Sequence, residues 1–251
     1  MVFRTIATLV LPIAVVALIG GCNRPANGGS ESLQTDSNEE RIVSLVPSAT
    51  ELIYAFGRGD DLVARSTHCN YPSEVEALPS VGSGLEPDLE RILALEPTLV
   101  VASALQSYFP GIEALEDAGV EVLLLPDDSM DEVRESMLTL GRRLDRAERA
   151  EEIVGEIDAE IERIRSEVAD AEHPKVLVAV ATDPIYAVGP DSRLGELLPT
   201  VGGDNVVERG DWVQLDREAL IAGQPEVIVD TTGNAEPEVW GRFVDVPAVA
   251  G

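Results

Sequence analysis

Two glutamates have the most suggestive spacing in this chain. Asp88-Leu-Glu90-Arg-Ile-Leu-Ala94-Leu-Glu-Pro97-Thr-Leu-Val-Val lines up with Asp216-Arg-Glu218-Ala-Leu-Ile-Ala222-Gly-Gln-Pro225-Glu-Val-Ile-Val. Asp, Glu, Ala and Pro keep the same offsets, and an apolar β-branched run follows each Pro. Each Asp is placed to cap a helix, and each Glu falls in that helix's first turn, off the apolar stripe and facing solvent. Two such carboxylates on matched surfaces can grip a basic partner at two points, which fixes orientation more than it adds affinity. Equally, an acidic residue near a helix N-terminus complements the macrodipole without any partner. A second pair of segments agrees, Glu51-Leu-Ile-Tyr-Ala-Phe-Gly57 with Glu196-Leu-Leu-Pro-Thr-Val-Gly202. Matching pieces in both halves predict two similar lobes with a cleft between them.

Reaction chemistry finds little support elsewhere. The chain has no Gly-x-Ser-x-Gly elbow, no phosphate-cradling glycine loop and no His-Glu-x-x-His. Carboxylates abound, but nothing marks a pair for acid–base work, so no catalytic residues are assigned. His68 beside Cys69 is a poor metal signature, because ordinary protein sites supply about three or four ligands; no metal site is expected. His68 stays open as a cleft-wall hydrogen-bonding group, a ligand to a metal carried by a bound molecule, or a packed residue. Cys69 reads as a small packing residue. His173, just before Pro174, reads as a dipole partner at a helix end.

Bulk composition narrows the partners. Of 251 residues, 46 are acidic and 18 basic, a formal charge of −28, with Lys175 the single lysine. Such a surface repels nucleic acid, which is excluded as a partner. An apolar content of 45% supports real cores. Residues 1–21 read as an address: Arg4 precedes the apolar run Ile6 to Ile19, which is too short for a confident membrane span. Ile19-Gly20-Gly21-Cys22 resembles the lipobox of lipoprotein signal peptides, which implies cleavage before Cys22 and lipid attachment to its thiol; an ordinary secretory signal is the alternative. A lipidated Cys22 leaves Cys69 without a disulfide partner. Residues 22–40, rich in Gly, Ser, Asn, Asp and Glu, read as a flexible tether.

The elements that must position these residues follow from periodicity. Residues 41–145 predict an N-terminal α/β lobe. Its strands begin near Arg41, Asp61, Leu99 and Val120; its helices begin near Ser48, Asp88 and Ile112. Ser48 with Glu51 fits a capping box. From Met130 to Ala171 the pattern is helical, divided at Gly141 or Asp145, and residues 146–173 predict one long linking helix with Ile153, Ile157, Ile161 and Ile164 as its stripe. Such a stiff connector predicts little lobe motion on binding. Residues 174–251 predict a second α/β lobe, apparently short at its C-terminus, with a hairpin at Ile185-Tyr-Ala-Val-Gly189. The fold class is therefore α/β, two Rossmann-like parallel-sheet lobes joined by one long helix.

Five segments in order carry a family resemblance: Val43-Ser-Leu-Val-Pro47-Ser-Ala-Thr-Glu51, His68-Cys-Asn-Tyr-Pro72, Asp88-Leu-Glu90-Arg-Ile-Leu-Ala-Leu-Glu-Pro97, Gly202-Gly-Asp-Asn205-Val and Asp216-Arg-Glu218. Across residues 41 to about 245 the chain resembles the helical-backbone (class III) periplasmic binding proteins of ABC importers, the receptors for cobalamin and metal chelates, and is most similar to the cobalamin-binding branch. The resemblance implies a monomeric, non-enzymatic receptor without a cofactor, anchored outside the cytoplasm on the periplasmic or extracellular face through Cys22. Its ligand would be cobalamin or another corrinoid; ferric siderophore, haem or another metal chelate is the alternative. It implies that Glu90 and Glu218, one per lobe, dock onto arginines of an ABC permease. It implies that Pro47, Ser48 and His68 line the ligand cleft. Tyr186 and Trp212 match positions where the family shows aromatics to the ligand, and flat rings suit a corrin face; both could equally pack a hairpin and a lobe edge. Near Gly84 and Ser103, where cobalamin receptors often carry aromatics, this chain has small residues. A non-transport surface lipoprotein and a lipid-anchored hydrolase are the readings from other classes.

Overall fold

The computed structural model describes residues 40–232 and Trp240. The expected signal sequence, Cys22 and the expected tether up to residue 39 lie outside the described residues. In the first lobe, strands β1 (Ile42–Ser44), β2 (Leu62–Arg65), β3 (Leu99–Ser103) and β4 (Glu121–Leu125) form one sheet in the order β2-β1-β3-β4. All its pairings are parallel. Unbroken apolar runs suit a sheet covered on both faces, and Leu99 to Ala102 are fully buried. Alternate side chains feed two cores. Ile42, Leu99 and Val101 face helices α1 (Pro47–Ala55), α4 (Met130–Arg143) and α5 (Ala147–Val168). Val43, Val100 and Ala102 face α2 (Leu89–Ala94) and α3 (Gly111–Asp117).

The start of α1 corrects one expectation. Its N-cap is Val46, with no side-chain capping bond, and Pro47 occupies the first turn. Proline has its φ preset for that position and lacks the N–H that would go unpaired there. The helix therefore starts ahead of Ser48, which lies inside the first turn with an exposed side chain instead of forming a capping box with Glu51.

Of the two candidate breaks in the long helical stretch, Asp145 is the real one, with φ of 55°. Gly141 has a different role. A Cβ there would lie 2.3 Å from the Cβ of Ala150, so glycine allows α4 and α5 to touch backbone to backbone. An ion pair from Arg134 to Asp158 at 2.8 Å adds to that contact. Helix α5 has 22 residues, about 33 Å at the usual rise. It ends at Val168, ahead of the expected residue 173, which Pro174 in any case keeps out of the helical region. His173 thus lies beyond the helix, its Nδ1 3.8 Å from Asp204 Oδ1. The isoleucine stripe is only half-buried, and Ile157 is exposed. The ends of α5 do the packing: Ile153 joins the first lobe's core, and Val168 lies against Gly202 of the second lobe, where an added Cβ would come within 3.3 Å of it.

The second lobe is built on β5 (Lys175–Thr182), β6 (Ile185–Val188), β7 (Asp204–Asn205), β8 (Trp212–Leu215) and β9 (Val227–Asp230). Its sheet is mixed, not parallel throughout as expected. β7 and β9 run parallel to β5, while β6 is antiparallel to both β5 and β8. The cause is local: only Asp183 and Pro184 separate β5 from β6, and so short a connection can only turn the chain back on itself. Helices α6 (Arg193–Leu197) and α7 (Arg217–Gly223) cover opposite faces. Trp240 closes one edge, donating from Nε1 to Asp230 Oδ2 at 2.9 Å.

Besides α5, the lobes meet in a second place. The backbone N–H of Arg193 donates to Asp128 O at 2.9 Å, and its guanidinium donates to Asp127 O at 2.7 Å and Asp127 Oδ2 at 2.9 Å. The Met130 N–H donates to Glu196 Oε2 at 2.7 Å. These four bonds clasp α6 to the segment that opens α4. We expect Glu196→Ala to speed amide exchange at Met130 about tenfold, the loss of one charge-assisted bond; an unchanged rate would show that this bond does not close in solution.

Glu40, expected as the last residue of a tether, is tied into the folded body. Its carboxylate accepts from Thr98 Oγ1 at 2.6 Å and from Arg143 at 3.1 and 3.2 Å, and Arg143 also holds Glu121 at 2.8 Å. Hydrogen bonding from Arg143 holds the Glu40 carboxyl below its ordinary range, against an opposing effect of burial. A depressed carboxylate pKa stabilises the fold above the unfolded value and loses that contribution as pH falls through the folded one. Arg143→Gln should therefore lower stability by about 1–2 kcal/mol at neutral pH, and the difference from wild type should shrink as pH falls below the ordinary carboxylate range. Chemical denaturation across pH reads this directly; a deficit that is independent of pH would refute the assignment.

Candidate ligand-binding cleft

Ligands of parallel α/β sheets bind outside the carboxyl ends of the strands, and in the first lobe those ends carry most of the expected site. Past β1 come Pro47 and Ser48, both exposed. Past β2 come His68 and Tyr71; past β3, Leu105 and Tyr108; past β4, Asp127 and Asp128. Leu85, Leu105 and Tyr108 are 81%, 66% and 88% exposed, and Tyr71 is 65% exposed. Large apolar side chains exposed in such loops are candidates for a binding surface.

The small residues near this rim have structural reasons. A Cβ at Gly84 would lie 2.8 Å from Leu45 O, so no side chain fits there, and Gly84 O accepts a hydrogen bond from Gln106 Nε2. Buried Gln106 also accepts from the Ser103 N–H at 2.7 Å, and this bond holds the turn that projects Leu105 and Tyr108. The apolar surface absent at Gly84 and Ser103 is therefore carried by their neighbours.

Two cavities open in this region. One, of about 300 Å³, lies between α1 and α4 and is lined by Ser48, Leu52, Ser103, Met137 and Arg193 among others. The other, of about 290 Å³, lies between the lobes and is lined by Leu105, Asp128, Asp191 and Trp212. Asp127 and Arg193 belong to both, so their ion pair is the shared wall. Ser103 Oγ donates to Asp127 Oδ1 at 3.2 Å, fixing that carboxylate from the first lobe while Arg193 fixes it from the second.

The expected site residues divide accordingly. Ser48 lines the first cavity and Trp212 the second. Pro47 starts α1 and lines neither. His68 is exposed on the β2 loop, its Nδ1 3.4 Å from Thr67 Oγ1, and lines neither. Tyr186 and Trp212 share one face of the second sheet, where Tyr186 pairs with Gln214 and Trp212 with Val188. Tyr186 is 37% exposed and donates to Gln214 Oε1 at 3.3 Å; Trp212 is 53% exposed. Cys69 is buried, its Sγ 3.2 Å from Ser66 Oγ. Among the described residues no group of three or more His, Cys, Asp or Glu converges on a common point.

Asp127 and Arg193 escaped the sequence reading, yet a signal existed. If Glu51 is the counterpart of Glu196, then Ser48 is the counterpart of Arg193. Two equivalent positions of the internal repeat thus line the same cavity from opposite lobes.

The paired glutamates keep their matched settings. Asp88 caps α2 by accepting from Arg91 N at 3.1 Å, and Asp216 caps α7 by accepting from Ala219 N at 2.7 Å. Glu90 and Glu218 follow in the first turns, both exposed, and neither carboxylate has a hydrogen-bond or ion-pair partner among the described residues.

Comparison with known proteins agrees with this architecture. A family model described as a periplasmic binding protein matches residues 42–239. The uncharacterized ABC transporter substrate-binding lipoprotein YvrC of Bacillus subtilis is 28% identical over 248 residues, covering 88% of this chain and 79% of that one. A vitamin B12-binding protein of Yersinia pseudotuberculosis is 28% identical over 243 residues, covering 94% of this chain and 83% of that one. Among solved structures, the periplasmic haem-binding protein RhuT of Roseiflexus sp. RS-1 in apo form matches with a TM-score of 0.76 and 26% identity, covering 84% of this chain and 86% of that one. No helix of the described residues is long and apolar enough to cross a membrane. Members of this family carry a ligand and not a cofactor. With its two-lobed fold and the family match over most of its length, the chain belongs to the periplasmic binding proteins, the extracytoplasmic substrate-binding components of ABC transporters, which work with a small-molecule ligand and a permease.

Proposed function

We propose that this protein captures cobalamin or a related corrinoid between its lobes and delivers it to an ABC permease. The observation that carries this reading is the exposed apolar side chains Tyr71, Leu105 and Tyr108 past the strand ends of the first lobe, of which Leu105 lines the inter-lobe cavity together with Trp212. Broad flat surfaces give a large macrocycle contact area at little entropic cost, and the similarity to a vitamin B12-binding protein over 94% of the chain points the same way. Haem is the second reading, favoured by the likeness to RhuT.

Titration of the mature protein with cyanocobalamin, followed by tryptophan fluorescence, separates the two. Submicromolar binding with quenching is expected, and Trp212→Ala should weaken it about tenfold, the ordinary cost of truncating an aromatic anchor. Tight hemin binding without cyanocobalamin binding would replace the corrinoid reading with the haem one.

Delivery runs through Glu90 and Glu218 in this proposal. Their support is the matched cap geometry on both lobes and carboxylates that have no partner among the described residues. Charges aimed at a partner set orientation and encounter more than ligand affinity. Glu90→Ala combined with Glu218→Ala should abolish uptake in a reconstituted transporter and leave the cyanocobalamin Kd unchanged; unchanged uptake would remove the docking role. Lipid attachment at Cys22 completes the proposal, and Cys22→Ala should release the protein from membranes into the soluble fraction.

A further inference from the structure

The cavity between α1 and α4 is walled mostly by the first lobe, and Arg193 reaches it from the second. Val46, Leu52, Leu125, Val133 and Met137 give it apolar walls. Of its serines, Ser136 is committed, donating to Pro126 O at 2.6 Å, and Ser103 is held by Asp127. Ser48 has no hydrogen-bond partner among the described residues, so its hydroxyl is available. The charges at the wall are Asp127 and Arg193, and each is taken up by the other at 2.9 Å. Among the described residues of the lining no charge is left to neutralise an incoming one, and burying an unpaired charge is costly. A volume of about 300 Å³ is at the lower end of small-molecule pockets.

We propose that this pocket is a subsite for an uncharged, largely apolar ring or side arm of the molecule held in the cleft. Ser48 offers the one polar contact, and the Asp127–Arg193 pair forms a wall that admits neutral groups and turns away carboxylates. The assignment rests on the reading of the cleft as a ligand site, and it adds that the ligand is chosen partly by what projects from its main ring.

The chain contains 3 methionines, namely Met1, Met130 and Met137, and Met137 lines the pocket. Carbon-13 labelling of the methionine methyls therefore gives a sparse spectrum with a reporter in the pocket wall. Indole added to the ligand-free protein should shift the Met137 methyl by ring current and leave Met130 in place. Benzoate, similar in size but charged, should bind at least about tenfold more weakly. Val133→Phe fills the pocket from α4 and Leu52→Phe fills it from α1; whichever folds should abolish the Met137 response. A Met137 signal unmoved by millimolar indole, benzoate binding as tight as indole, or a response that survives filling would each overturn the proposal. Because indole is read in the free protein, these outcomes stand whether or not cyanocobalamin binds the cleft.

Discussion

The contact of α4 with α5 at Gly141 and Ala150 is the constraint on which the cleft depends. With no Cβ at residue 141 the two helices meet closely, and any larger residue would push against Ala150. Such overpacking typically costs about 1–3 kcal/mol. The contact fixes the direction in which α5 leaves the first lobe, and α5 then carries that direction to its packing against Gly202 in the second. A stiff helix set by a close backbone contact transmits orientation well, because packed interiors give little.

The clasp between α6 and residues 127–130 completes a closed path: α4, α5, the second lobe, α6 and back to the start of α4. A connector that joins two bodies at one end leaves a rotation free, and a second contact removes it. The same bonds place Asp127 and Arg193 where both cavities meet, so the groups that hold the lobes together also form the wall of the site. Lobe geometry and the shape of both cavities are thereby tied to the same side chains.

Charge is distributed with a similar economy. A chain at −28 has far more carboxylates than cations, and most of the described arginines are spent on internal ties. Arg143 bridges Glu40 and Glu121, Arg58 pairs with Asp61, and Arg41 donates to the carbonyls of Leu95 and Glu96. In such a chain an acidic residue without a partner is ordinary, so an unpaired glutamate alone says little. Glu90 and Glu218 stand out because the same cap precedes each of them in both lobes.

Read as a sequence, the chain by itself determined the strands and helices of its first lobe and the likeness of its two halves, but β7 and β8 of the second lobe carried no such signal. Apolar runs next to Pro and Gly leave few alternatives locally, and the Asp-x-Glu repeat is written into the residues. The start of α1 was misread because Pro47, one place earlier, competes with a serine cap and wins through its preset φ. The mixed second sheet was missed because strand direction depends on the length of the turn at Asp183 and Pro184 and not on the apolar pattern of β5 and β6. Only the tertiary structure decided which rim residues face a cavity. Tyr71, Leu105 and Tyr108 look like core residues in a sequence, and it is the end of the sheet that leaves them exposed. Asp127 and Arg193 are separated by the whole of α4, α5 and β5, so no local pattern could join them; their ion pair exists because two covered sheets and one rigid helix bring the ends of distant elements together.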